Sequence, residues 1–83
     1  MTDISPNLIS QWKASPRLAE RTAARLAAEL HGSQRWEPVP GNLPLARRLN
    51  VSQATIGRAK NLLADHGAIM RSGSGSAAGY YVT

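Results

Sequence analysis

Side chains that hydrogen-bond strongly lie close together in this sequence around one glycine. Gln53 and Asn61 carry amides, which pair with adenine, and Arg58 carries a guanidinium, which pairs with guanine. Ala54 and Gly57 lie among them with almost no side chain, although an interior glycine costs a helix about 1 kcal/mol relative to alanine. A helix surface this thin can approach base edges in a DNA major groove, so these five residues are predicted to read bases. In the alternative interpretation, Gly57 reflects tolerance at an exposed site.

Hydroxyls and cations beside this surface are suited to binding phosphate. Hydroxyl groups and free N–H groups at a helix start bind phosphate oxygens, and arginines on a neighbouring helix can reach the DNA backbone. Each cation could equally be an ordinary solvated side chain, so the prediction depends on their convergence around one helix. The predicted phosphate contacts are Arg47, Arg48, Ser52, Thr55 and Lys60.

A glycine- and serine-rich segment near the carboxy end is predicted to form the tip of a β-hairpin. The stretches AIMR and YYV flank it as two short strands. An arginine that enters this tip gains from the negative potential of a minor groove, whereas in the alternative the tip is only a connecting loop. The predicted contacts of this wing are Arg71, Ser72, Gly73, Ser74 and Gly75.

No combination of residues in this sequence supports catalysis or metal binding. Asp65 and His66 are neighbours on a helix, so their side chains point in different directions. Residues 73–79 resemble a dinucleotide-binding loop only superficially, and we do not expect around them the βαβ unit that such a loop needs. The chain has no cysteine, and its two histidines are far apart without an acidic partner at ligand spacing. We therefore expect no enzyme, no metal and no cofactor.

Length and charge indicate the class of protein. The 83 residues suffice for one small domain, and the net charge of +5 suits a polyanionic partner. No apolar run approaches the roughly 20 residues that cross a bilayer, and the amino terminus lacks the regions of a secretory signal. We expect a cytoplasmic protein with no membrane partner.

A helix with two marked ends is predicted between Ser15 and Gly32. The serine can cap the first N–H groups, Pro16 suits the first helical position, and the glycine is a natural stop. Before it, residues 1–15 form either an arm or a short helix. The domain proper is predicted to cover 16–83.

Arginines recur every four residues on one face of that helix. Arg17, Arg21 and Arg25 are predicted to form a solvated ridge. Glu20 and Glu29 are expected to pair with part of it, and in the alternative interpretation these arginines contact phosphate.

A tight turn between two further helices is predicted at Asn50. Prolines in the preceding connector exclude regular helix until Pro44, and Trp36 is predicted to anchor that connector in the core or at an edge. Asparagine tolerates the left-handed conformation, and Ser52 can cap the next helix, over 52–66. Helix, turn, helix and hairpin in this order predict a mainly α fold with a small β-hairpin, the winged helix-turn-helix.

The run VPGNLPLARRLNVSQATIGRAKNLLADHGAI, residues 39–69, resembles the winged-helix domain of GntR-type bacterial transcription regulators. That family's pattern is Leu-Pro-Ser-x-Arg-x-Leu-Ala, then x-x-Leu-Gly-Val-Ser-Arg-x-Thr-Val-Arg, then Ala-x-x-x-Leu-x-x-x-Gly-Leu-Ile and a glycine-containing wing. The run aligns with it without a gap, and the resemblance covers about residues 16–82.

Departures from the family pattern fall on its DNA-contacting positions. The three arginines of the family correspond here to Leu43, Gln53 and Gly57. Its serine and threonine are kept as Ser52 and Thr55, so the resemblance implies that phosphate positioning carries over while base recognition differs.

The resemblance implies a sequence-specific double-stranded DNA-binding domain of a bacterial transcription regulator, with a repressor as the expectation. Helix 52–66 would read the major groove and wing 71–79 the flanking minor groove. The family implies a homodimer on a palindromic site, formed through a region outside this chain. One alternative is a plasmid or phage replication, partition or recombination factor. The other is a winged helix that binds a protein, which the lost arginines favour.

Overall fold

The computed structural model describes residues 5–72 and 79–83, which form four helices followed by a two-stranded hairpin. The elements are α1 (Pro6–Lys13), α2 (Leu18–Leu30), α3 (Asn42–Leu49), α4 (Gln53–Asp65), β1 (Ile69–Ser72) and β2 (Gly79–Val82). This order and the antiparallel pairing of the strands confirm the predicted mainly α class with a small hairpin, arranged as a winged helix-turn-helix.

The amino-terminal segment forms a short helix, α1, which was one of its two predicted alternatives. The Ser5 hydroxyl accepts a hydrogen bond from the N–H of Asn7 at 3.3 Å, and Pro6 occupies the first turn. The indole of Trp12 is buried and meets the ring of His66 edge-on, with the centroids 5.3 Å apart. Since α1 also packs against α2, it belongs to the core.

The helix α2 begins two residues later than predicted because Ser15 holds the chain in a turn before it. The Ser15 hydroxyl accepts from the N–H of Arg17 at 3.0 Å and donates to the carboxylate of Glu20 at 3.0 Å. Arg17 therefore stays extended, and Leu18 is the first helical residue. At the other end Gly32 has a φ of 85°, the left-handed conformation that follows many helices.

The predicted ridge on α2 is solvated at Arg17 and Arg25, which are exposed, whereas Arg21 is half-buried. Arg21 Nη1 donates to the carbonyl of Ser15 at 2.7 Å, and Arg25 Nη1 donates to the carbonyl of Leu49 at 2.8 Å. Neither arginine pairs with a glutamate within the described residues. The Leu49 carbonyl belongs to the last turn of α3, where cations are favoured, so Arg25 joins α2 to α3.

A turn of three residues joins α3 to α4. The helix α3 begins at Asn42 rather than at Pro44. Backbone N–H groups in the first turn of a helix have no acceptor within the helix, so a proline there, which lacks an N–H, loses no hydrogen bond. Asn50 adopts φ 57° and ψ 49°, which confirms the predicted left-handed turn. The N–H of Val51 then donates to the carbonyl of Ala46 at 3.1 Å and closes the helix end.

The connector before α3 extends the hairpin by a third chain segment. Pro38 forms an antiparallel bridge with Tyr81 of β2. The N–H of Trp36 donates to the carbonyl of Val82 at 2.7 Å, while its side chain is 52% exposed. Trp36 therefore anchors an edge through its backbone, and of its two predicted placements the one in the core is wrong.

One hydrophobic core joins the helices to the hairpin. The helix α4 packs against α2, α3 and β1. The largest fully buried apolar side chains are Leu26, Leu45, Ile56, Leu63, Ile69 and Val82. This packing determines which side of α4 faces solvent.

The turn at Asn50 can be tested by two substitutions. We expect Asn50→Ala to lower the free energy of unfolding by about 1 kcal/mol, because alanine disfavours the left-handed conformation. Asn50→Gly should leave that free energy unchanged or raise it, since glycine adopts this conformation freely. Urea denaturation of both variants measures the difference, and equal losses would contradict the assignment.

Candidate functional site

The helix α4 presents its predicted base-reading residues on the side opposite the core. Its start is fixed by the Ser52 hydroxyl, which accepts from the N–H of Thr55 at 3.1 Å. Ile56, Ala59 and Leu63 are 0% exposed and form its inner side. The outward face of α4 consists of Gln53, Ala54, Gly57, Arg58 and Asn61.

Gly57 is the half-buried member of the outward face of α4, beside the start of α3. A Cβ placed on Gly57 would lie 3.8 Å from Nδ2 of Asn42, an ordinary van der Waals contact. Its φ is helical, so the backbone does not demand a glycine either. The fold therefore accommodates alanine at this position, and the missing side chain has no structural cause among the described residues.

An open cleft of about 540 Å³ adjoins the outward face of α4. It separates the start of α3 and the side of α4 from the two strands. Polar groups on its wall come from all of these elements, and they belong to Asn42, Lys60, Asn61, Arg71 and Tyr80. The cleft therefore brings together three predicted base or phosphate contacts, Gly57, Lys60 and Asn61, and the first wing residue, Arg71.

Lys60 is buried in the wall of this cleft. Contrary to the prediction, its ammonium group faces the protein and not a phosphate. The residue is 5% exposed, and its Nζ donates to the carbonyl of Pro40 at 2.8 Å. The same Nζ lies 5.7 Å from the ring centroid of Tyr80, within the range of a cation–π contact. Burial lowers the pKa of Lys60 below its ordinary value. Its role is thus to join α4 to the connector and to the hairpin.

The two hydroxyls predicted to contact phosphate differ in exposure. Ser52 is exposed, whereas Thr55 is buried. Their oxygens lie 2.9 Å apart and share a hydrogen bond. The Thr55 hydroxyl therefore belongs to the cap of α4 and does not lie at the outer surface. Ser52 is the accessible member of the pair.

The arginines near the site divide into engaged and unengaged side chains. Arg48 donates from Nη1 to the carboxylate of Glu29 at 2.8 Å, so its charge is compensated by α2. Arg47, Arg58 and Arg71 are exposed and form no ion pair with any other described residue. These three are the cations that a partner at this surface could use.

The predicted wing is described only at its base. Arg71 and Ser72 are the last residues of β1, and Arg71 is paired with Tyr80 of β2. The remaining predicted wing contacts, Gly73, Ser74 and Gly75, lie outside the described residues.

Sequence reasoning missed Tyr80 and Asn42. The Tyr80 hydroxyl donates to Oδ1 of Asn61 at 2.9 Å, and Asn42 faces Gly57 at the start of α3. The sequence predicted a hairpin with two adjacent tyrosines in its second strand, but which of them turns toward α4 depends on strand register. The alternation of side chains along YYV was the available signal.

Neither a metal cluster nor a membrane-spanning helix is found in the described part of the chain. No group of three or more histidine, cysteine, aspartate or glutamate side chains in residues 5–72 and 79–83 could hold a metal ion. Among the helices described, none has both the length and the apolar composition needed to cross a bilayer.

The burial of Lys60 predicts a pH dependence of stability. Because its pKa is lowered from 10.5, the folded protein binds fewer protons than the unfolded chain between the lowered pKa and 10.5. The contribution of Lys60 to the free energy of unfolding should therefore rise with pH in that interval. We expect the rise to be weaker in Lys60→Met, which keeps the length but does not titrate. Urea denaturation from neutral pH to pH 10.5 measures it, and identical pH profiles would contradict it.

Comparison with known proteins adds no relative to this description. No protein-family model, no curated protein and no solved structure matches the chain. The resemblance to GntR-type regulators therefore depends on the order of residues in the sequence and stays a prediction.

Proposed function

We propose that this chain is a sequence-specific double-stranded DNA-binding domain of a bacterial, cytoplasmic, GntR-like transcription regulator, and specifically of a repressor. In this proposal α4 enters the major groove and the hairpin approaches the flanking minor groove. Two copies bind a palindromic site through a dimer contact outside this chain. The observation that carries the proposal is a glycine which the fold does not require, set among exposed hydrogen-bonding side chains on the outward face of α4.

The shape of the outward face of α4 supports this proposal. A major groove is about 12 Å wide, which admits one α-helix closely. Ala54 and Gly57 allow the backbone to approach base edges, while Gln53 and Arg58 extend from their flanks as exposed side chains. Asn61 follows one turn after Gly57 and adds a second amide.

The distribution of charge supports the same orientation. Arg58 lies on the outward face of α4, Arg71 lines the adjoining cleft, and Arg47 is exposed near the end of α3. The exposed start of α4 supplies the Ser52 hydroxyl and free N–H groups, which favour phosphate. Together they can hold a DNA backbone on either side of an inserted helix.

A protein-binding winged helix is the second candidate, and Leu43 favours it. This leucine occupies a position where the resembling family has an arginine, and it is 45% exposed at the start of α3. DNA binding that weakens steeply with salt would support the first candidate, since phosphate contacts release counterions. Salt-independent binding, or none at low salt, would support the second.

Gly57→Ala tests the effect of this glycine on stability separately from its effect on DNA affinity. We expect the variant to gain up to about 1 kcal/mol in the free energy of unfolding, because alanine is the better helix former and meets no clash. Its affinity for the preferred DNA site should fall, because the added methyl lies on the approaching surface. Thermal denaturation and titration with labelled DNA measure the two effects.

The matched control for that variant is Ala28→Gly, the reverse exchange at an exposed position of α2 away from the cleft. This control should lose stability and keep its DNA affinity. A Gly57→Ala domain that binds DNA as the wild type does would contradict the role given to the glycine.

Arg58 and Arg47 should affect DNA binding differently. We expect Arg58→Ala to weaken binding to the preferred site by about 1–3 kcal/mol and to random DNA by less, because it removes a base contact. Arg47→Ala should weaken both about equally and reduce the salt slope by about 1, as a lost phosphate contact does. Arg48→Ala is the control, because Glu29 already compensates that charge. Selection of bound sequences from a random DNA pool, followed by titrations at several salt concentrations, supplies these values.

Equal losses on specific and random DNA for Arg58→Ala would remove its base-reading role. The failure of the selection to enrich any sequence would contradict sequence specificity as a whole.

A further inference from the structure

One hydrogen bond connects the hairpin to the outward face of α4. The Tyr80 hydroxyl donates to Oδ1 of Asn61 at 2.9 Å, between residues that are 19 positions apart. Asn61 is exposed, so the amide contacts the protein through its oxygen while the rest of the group faces solvent. The contact therefore joins a strand residue to a side chain proposed to read bases.

Tyr80 is held in place at its backbone and at its ring. Its carbonyl accepts from the N–H of Val39 at 2.9 Å. Its half-buried side chain packs against the core, and Nζ of Lys60 lies 5.7 Å from the ring centroid. That Nζ is itself fixed by the carbonyl of Pro40 at 2.8 Å. The hydroxyl is thus a donor whose position is set before any partner arrives.

A fixed donor changes what Asn61 can recognise. A free asparagine pairs with adenine by accepting from N6 through Oδ1 and donating to N7 through Nδ2. Here one of the two lone pairs of Oδ1 already accepts from Tyr80, which turns this oxygen toward the hairpin and leaves Nδ2 as the part of the amide without a partner among the described residues. Guanine presents two neighbouring acceptors in the major groove, N7 and O6, and no donor beside them.

We infer that Tyr80 is a positioning residue that turns Asn61 from an adenine reader into a guanine reader. This inference rests on the proposed DNA-binding function and names the base that one residue of that site selects. Tyr80 itself need not touch DNA, because it acts through the orientation of the amide.

Tyr80→Phe tests the inference, with Tyr81→Phe as the matched control. Both variants lose one hydroxyl from adjacent residues of β2, but the Tyr81 hydroxyl forms no hydrogen bond within the described residues. Selection from a random DNA pool should show one position where the wild type and Tyr81→Phe prefer guanine. At that position Tyr80→Phe should change the guanine-to-adenine ratio about tenfold toward adenine, the size of one bidentate contact. Asn61→Ala should lose the preference there.

A second measurement needs no DNA. Nuclear spin relaxation of the Asn61 side-chain amide in the free domain should show an ordered group in the wild type and in Tyr81→Phe. The same amide should be more mobile in Tyr80→Phe. Equal mobility in all three proteins would overturn the positioning role.

The outcomes separate the inference from the proposed function. A wild-type domain that binds no DNA contradicts the proposed function and the guanine preference with it, whereas an ordered amide would still support the positioning contact. A wild type that selects a DNA site unchanged by Tyr80→Phe leaves the proposed function standing and overturns the inference.

Discussion

The packing of α4 against α2 is the constraint on which the rest of this domain depends. Three side chains of α4 are completely buried, namely Ile56, Ala59 and Leu63. The helical repeat then makes the residues on the opposite side of α4 face solvent. Alanines contribute to the core from both helices, including Ala23 of α2, and small side chains let helices approach closely. Because this contact fixes the rotation of α4 about its axis, it also fixes which side chains a partner can reach.

Local signals in the sequence were sufficient for the turn and for the helix faces. Asn50 and Ser52 act through their own backbone neighbours, and the spacing of Ile56 and Leu63 follows from the helical repeat. Each of these properties depends on residues within one or two turns, which is why the winged helix-turn-helix class and the outward face of α4 were predictable.

The partners of long polar side chains were not predictable from local signals. Lys60 reaches the carbonyl of Pro40, Arg25 reaches that of Leu49, and Arg48 reaches a carboxylate of α2. Each contact joins residues 19 to 24 positions apart, so it exists only after the helices have packed. A long flexible side chain can bury its stem and choose among several acceptors, and its sequence position does not decide among them. Cation counts therefore overstate the charge that this surface offers a polyanion.

The bridge between Pro38 and Tyr81 has a consequence for how firmly the hairpin is joined to the helices. The connector that contains Pro38 leads directly into α3, while Tyr81 belongs to the strand that returns from the wing. The hairpin is therefore joined to the segment that precedes the helix-turn-helix by a contact that does not involve α4. Docking elements that are already coupled lose less conformational freedom on association, so more of their contact energy appears as affinity.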